Sequence, residues 1–218
     1  MSFMPLSDGF FNADSRKTLN MVIYYAYKYN ILVPSIYTNI FRKYENKKYE
    51  GAYVLEPEVG LNENHPVFAY DFKSLYPSII MGYNLSPYNI KLVKTDQEIT
   101  IDTTIIQNNQ PNDIYCIFPE DNIMLKGEII SREQDTLYPI ILKKLFDTRA
   151  EYVLISEHEN CENKCKYDNN NDCKLVRNIY KMKQAALKVF MNTFYGILGD
   201  STSWVYNPLM AGAITNKG

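Results

Sequence analysis

The 218-residue sequence is 46% hydrophobic and nearly balanced in charge, with 23 Lys and Arg against 25 Asp and Glu. That is enough apolar material for a packed core, but no global basic field exists to draw in a polyanion, so any nucleic-acid contact must rest on locally grouped cations. No apolar run reaches the ~20 residues of a membrane span, no basic segment with an apolar stretch opens the chain, and the four Cys do not form a secreted disulfide framework, so the expected setting is soluble and intracellular.

The first element is a helix over residues 18–29, where apolar groups recur at helical spacing before Pro34. A polar stretch, 42–50, separates it from two short predicted strands, 51–56 and 66–72. The second contains the apolar run Val67-Phe68-Ala69-Tyr70 and ends on Asp71. Pro77, Gly82 and Pro87 punctuate the next segment, and 95–113 reads as a polar insertion rich in Asn, Gln, Thr and Asp. A helix is predicted from Thr136 to about Ile155, with Ile141, Leu145, Thr148 and Tyr152 on one face. After a polar tip, 157–174, a second long helix runs from about Leu175 to Tyr195, completing a helical hairpin.

The second hairpin helix has the most informative pattern. At 100° per residue, Arg177, Lys181, Gln184, Lys188, Asn192 and Tyr195 share a stripe, opposite Leu175, Ile179, Met182, Ala186, Phe190 and Thr193. No acid lies between Leu175 and Gly199. A polar helix face is usually just solvated, yet such faces normally mix signs. The spacing alone leaves both a solvated face and an anion-binding face open.

Three segments carry a family resemblance. Asp71-Phe72-Lys73-Ser74-Leu75-Tyr76-Pro77-Ser78-Ile79 resembles motif A of the family B DNA polymerases, DxxSLYPSI. The run from Lys188 through Asn192 and Thr193 to Tyr195-Gly196 resembles their motif B, KxxxNSxYG, with Thr in the Ser position. Tyr49-Glu50-Gly51-Ala52 resembles the YxGG/A element that precedes motif A. Order, spacing and the intervening hairpin are also similar, and the likeness covers roughly residues 19–218.

The resemblance implies an α+β fold: a partial polymerase palm with an antiparallel sheet, bearing an α-helical fingers hairpin. The implied divisions are 1–48 as a lead-in, 49–135 as a palm segment with motif A and the insertion, 136–198 as the fingers, and 199–218 as a return toward the palm. The implied activity is addition of deoxynucleotides to a primer 3′ end by two-metal nucleotidyl transfer, with two Mg²⁺ ions, a dNTP and a DNA primer-template as cofactor and partners.

Asp71 and the Phe72 carbonyl would ligate metal, since a hard ion takes oxygen ligands. The residue types permit a blander account, in which Asp71 is a turn cap and Tyr76 a core aromatic. By the resemblance, the backbone of Ser74 and Leu75 would receive the triphosphate, and Tyr76 would lie under the sugar and exclude a 2′-hydroxyl. Lys188, Asn192 and Arg149 would hold phosphates. Tyr195 and Gly196 would floor the nascent base pair, while Tyr49 and Gly51 would touch the template backbone. One departure stands out: the family usually carries a second basic residue four positions after the Arg, and this chain has Val153.

The family's further catalytic carboxylates, in a YxDTD motif, have no counterpart between Tyr195 and Gly218, where Asp200 lies too close to motif B. The expectation is a polymerase part that is inactive alone and completed by a remainder on the same or another chain. The alternative is a non-catalytic module that only holds nucleotide or primer-template. A composition rich in Asn, Lys, Tyr and Ile suggests an AT-rich genome such as that of a large DNA virus or phage, with host cytoplasm or nucleus as the setting. His158, Cys161, Cys165 and Cys173 depart from the usual zinc-ligand spacing, which favours a variable loop with reduced thiols.

Overall fold

The computed structural model describes residues 13–33, 39–52, 54–57, 59–61, 66, 68–93, 110–157 and 170–218. Five α-helices and three strands are found among them. They are α1 (Asp14–Lys28), α2 (Leu75–Gly82), β1 (Ile90–Val93), β2 (Asp113–Phe118), β3 (Ile123–Ile129), α3 (Leu137–Ser156), α4 (Asn170–Gly199) and α5 (Pro208–Lys217). None of the described helices is long and apolar enough to cross a membrane.

The sheet is antiparallel, in the order β1-β3-β2. Ile90 pairs with Ile129 on one side of β3, and Phe118 pairs with Ile123 on the other. The α+β class with an antiparallel sheet holds, but from strands other than the expected ones. Residues 51–52 and 54–56 form no strand, nor do 66 and 68–72. The expected buried strand before Asp71 is instead open to solvent, with Phe68 73%, Tyr70 93% and Phe72 76% exposed. The physical reason is pairing: an extended segment becomes a strand only with a neighbour to bond. Here the Glu50 N–H donates to the Ile117 carbonyl at 2.8 Å on the edge of β2, and the chain then leaves the sheet.

Apolar packing joins the sheet to the helices. α5 lies across β2 and β3, burying Leu209, Met210, Ala213 and Ile214 against Ile114, Cys116 and Phe118. The approach is close enough that glycine is required at two places. A Cβ at Gly212 would stand 3.0 Å from the Cys116 Cα, and one at Gly127 would stand 3.1 Å from the Lys91 carbonyl oxygen.

α3 and α4 form the expected hairpin and pack along each other. Its root is buried through Leu137, Tyr138, Ile141, Leu142 and Leu145 of α3 and Leu187, Met191, Phe194 and Leu198 of α4. The outer part is less buried: Leu154 is 73% exposed and Met182 74%. This corrects the expected apolar side of α4, because Leu175, Ile179 and Met182 are exposed and the root uses the neighbouring line 187-191-194-198. Apolar spacing marked two lines on the helix, and packing at the root selected one of them.

The hinge between α2 and α3 is a polar clamp. Asn84, buried and left-handed at φ 53°, follows the end of α2. Its Nδ2 donates to the carbonyls of Ser131 and Gln134 at 2.9 and 2.8 Å. Its Oδ1 accepts from the N–H and hydroxyl of Thr136, which immediately precedes α3, at 2.9 and 2.8 Å. Asn89 extends the clamp by donating to the carbonyls of Asn84 and Ser131. The start of α3 is thereby fixed relative to the end of α2.

Most of the polar insertion and the hairpin tip, including His158, Cys161 and Cys165, lies outside the described residues. Cys173 is disulfide-bonded, which corrects the reduced-thiol reading at that residue.

Candidate active-site cleft

Asp71 and Phe72 sit in irregular backbone, and Lys73 and Ser74 turn the chain into α2. Ser74 occupies the left-handed region at φ 58°, ψ 55°, an uncommon conformation for a residue with a Cβ. Its carbonyl accepts the Ser78 N–H at 3.0 Å, so the strained residue opens the helix. Its hydroxyl is buried with no hydrogen-bond partner.

This turn faces α3 and α4 across an open cleft of about 590 Å³. The cleft is lined by Asp71, Phe72, Lys73, Ser74, Leu75 and Tyr76 on one side and by Arg149, Lys188, Asn192 and Tyr195 on the other. The expected metal-ligating and nucleotide-binding residues are therefore brought together. Arg149, despite the departure at Val153, lines the same cleft as Lys188. Lys73 was not singled out from the sequence, although it lies within motif A; its position there is one where the motif prescribes no residue type.

Charge in the cleft is unbalanced. Among the described residues Asp71 is the one acid in the lining, against Lys73, Arg149 and Lys188. None of these three cations forms a salt bridge among the described residues. The Arg149 Nε is buried without a partner. Unpaired cations and an unsatisfied buried donor around a cavity are suited to receive an anion.

Three tyrosines meet at this place, of which Tyr76 and Tyr195 line the cleft and Tyr49 lies behind Tyr195. The rings of Tyr76 on α2 and Tyr195 on α4 lie 4.6 Å apart between centroids at an interplanar angle of 38°. The Tyr195 hydroxyl lies 3.3 Å from that of Tyr49. Burial, reinforced by that hydrogen bond, pushes the Tyr49 phenol well above its ordinary range, so it stays protonated. Tyr49 also abuts Gly199.

The segment before Tyr49 is tied down from the far side. Asn39 Nδ2 donates to the carbonyls of Trp204 and Tyr206 at 3.2 and 2.8 Å, and Arg42 donates to the Ser201 carbonyl at 2.8 Å. A Cβ built at Gly51 or Gly196 meets nothing within 4 Å, so internal packing does not demand either glycine. Gly51 does not line the cleft; it borders a second cavity of about 600 Å³ that has Tyr76 and Tyr115 in its wall. Asp200 is occupied locally, accepting from the Thr202 N–H and hydroxyl at 2.8 and 2.7 Å.

Comparison with known proteins identifies the family. The family model described as DNA polymerase family B matches residues 4–218. The DNA polymerase beta of African swine fever virus (isolate Warthog/Namibia/Wart80/1980) is 31% identical over 227 residues, covering 100% of this chain and 18% of its own length. The DNA polymerase catalytic subunit of human herpesvirus 7 is 26% identical over 220 residues, covering 100% of this chain and 19% of its own. The DNA polymerase delta catalytic subunit of Plasmodium falciparum is 32% identical over 173 residues, covering 79% of this chain and 13% of its own. In fold, the chain is similar to the family B DNA polymerase of the archaeon Pyrobaculum calidifontis, with a TM-score of 0.55 and 23% identity over 98% of this chain and 23% of the other. The chain thus spans about 18% of the length of the first of these curated relatives, and with its whole extent nearly matched by one family model it belongs to DNA polymerase family B.

Proposed function

We propose that this chain supplies the nucleotide-binding half of a DNA-directed DNA polymerase active site, in a polymerase that extends a primer 3′ end. The observation that carries this reading is the convergence of Asp71, Ser74, Tyr76, Arg149, Lys188 and Asn192 on one cleft from three separate elements. On this reading 49–135 is the start of the palm, 136–198 the fingers and 199–218 the return.

The residues present suit a hard divalent cation at one position. The Asp71 carboxylate and the Phe72 carbonyl are oxygen donors on the cleft wall, and phosphate oxygens and water complete such a shell. Two bound Mg²⁺ ions would activate the primer 3′-hydroxyl and neutralise the departing pyrophosphate. A single carboxylate does not hold both, and the described lining offers only Asp71, so the remaining ligands are assigned to the rest of the polymerase.

Arg149 and Lys188 draw the triphosphate onto the hairpin, and Asn192 adds an amide one turn along α4. Amides at the turn into α2 receive phosphate oxygens on the opposite wall. Tyr76, held by Tyr195, stands where a ribose 2′-hydroxyl would collide. Tyr195 and the open face of Gly196 support the nascent base pair, while Tyr49 and Gly51 meet the template backbone. Primer-template and dNTP are thus the partners, with the rest of the polymerase.

The test is Mg²⁺-dependent primer extension with this chain alone and mixed with the remaining polymerase polypeptide. Extension in the mixture, lost in Asp71→Asn, is the expected result. Primer-template binding with no extension in any mixture would instead establish a non-catalytic binding module.

A further inference from the structure

We infer that Lys73 is a third phosphate-binding cation of the cleft, taking over the electrostatic role left empty at Val153; this rests on the proposed triphosphate site. Three observations support it. Lys73 lines the cleft with Arg149 and Lys188, and no carboxylate among the described residues pairs with it. Its ammonium lies 5.7 Å from the centroid of the Phe146 ring. Phe146 stands one helical turn before Arg149 on α3, and Val153 stands one turn after it.

The cation–π contact steers the Lys73 head group toward the Arg149 side of the cleft while leaving it exposed. Lys73 and Arg149 thereby reach one anion from opposite walls. A base at 153 would approach from farther out along α3; Lys73 approaches from the facing wall, beside Asp71 and Ser74. The cation count around the triphosphate is kept while its distribution moves inward. A lysine suits this position because its ammonium is a compact charge on a flexible stem, and no fixed bidentate geometry is needed.

The experiment is titration of the 218-residue chain with Mg²⁺·tripolyphosphate and with a fluorescent Mg²⁺·dNTP, at low and moderate salt. Lys73→Met keeps the stem on Phe146 and removes the charge. It should weaken both ligands roughly tenfold and flatten the salt dependence of binding. Lys73→Arg should bind like the parent chain, and adding Val153→Lys to Lys73→Met should restore most of the loss. Thermal midpoints of all variants are followed, because a purely structural lysine would change stability without changing the salt slope.

Unchanged binding in Lys73→Met, or no rescue by Val153→Lys, overturns the inference. Lys188→Met separates the two levels. If it weakens binding while Lys73→Met does not, only the role of Lys73 falls. If neither weakens it, or the parent chain binds neither ligand, the triphosphate reading of the cleft falls with it.

Discussion

Replacing Asn84 with alanine removes the polar clamp that sets α3 against α2. Four hydrogen bonds end on this one side chain, but they are not equally costly to lose. The Ser131 carbonyl keeps its bond from Asn89 at 2.7 Å, and the exposed Gln134 carbonyl turns to water. The net loss is about two bonds at about 1 kcal/mol each. A backbone contribution adds to it, because Asn84 sits at φ 53° and asparagine tolerates this region better than alanine by about 1 kcal/mol. Asn84→Ala should therefore cost about 3 kcal/mol and Asn84→Gly, which relieves only the backbone, about 2 kcal/mol. Urea denaturation followed by circular dichroism reads both as midpoint shifts at constant slope. Two variants destabilised by less than about 0.5 kcal/mol would refute the clamp as a source of stability. Equal losses would refute the backbone part alone.

Gly212→Ala should destabilise by about 2–3 kcal/mol, since the new methyl meets the Cys116 Cα at 3.0 Å and Cβ at 2.9 Å; a thermal midpoint unchanged from the parent would contradict the tight α5–β2 contact. Stability should be lost in alkali. Burial raises the phenols of Tyr49 and Tyr138, the Cys116 thiol and the Tyr206 phenol, the last to about 12. Groups whose folded values are raised contribute fully below their unfolded values and lose that contribution as pH climbs toward the folded ones. Tyrosinate absorbance and helical circular dichroism should therefore change together above the ordinary range of these groups, and separate transitions would argue against the buried phenols as the cause. In the assembled polymerase, Tyr76→Val should raise ribonucleotide incorporation at least about tenfold relative to deoxynucleotide, read from single-nucleotide extension; unchanged selectivity would remove Tyr76 from the sugar site.

The cleft was more legible in the sequence than the sheet. Motif A and motif B fix residue identities that chemistry demands, so Asp71, Tyr76, Lys188 and Asn192 could be singled out before their convergence was visible. Lys73 was missed because the motif leaves its position open, and only the fold brings it toward Phe146 and Arg149. The strands failed for a different reason. The run Val67-Phe68-Ala69-Tyr70 has the continuous apolar character of a buried strand, yet pairing is a property of two segments, and among the described residues none pairs with 68–72. Conversely, β3 contains Lys126, Gly127 and Glu128, which blunts the apolar pattern of a central strand. The face of α4 was misjudged because exposed Leu175, Ile179 and Met182 keep helical spacing as faithfully as the buried line does.

The one-sided anchoring of the hairpin has a mechanical consequence. α4 is 30 residues long, roughly 45 Å at 1.5 Å per residue. With Met191 as a fulcrum, a tilt of about 10° sweeps the outer end through about 5 Å but moves Lys188 by less than about 1 Å. The hairpin is thus a lever whose cleft lysine sits close to the pivot while the travel is taken up at the outer end. A partner pressing on the outer end would gain leverage over the whole hairpin while scarcely displacing the lysine in the cleft.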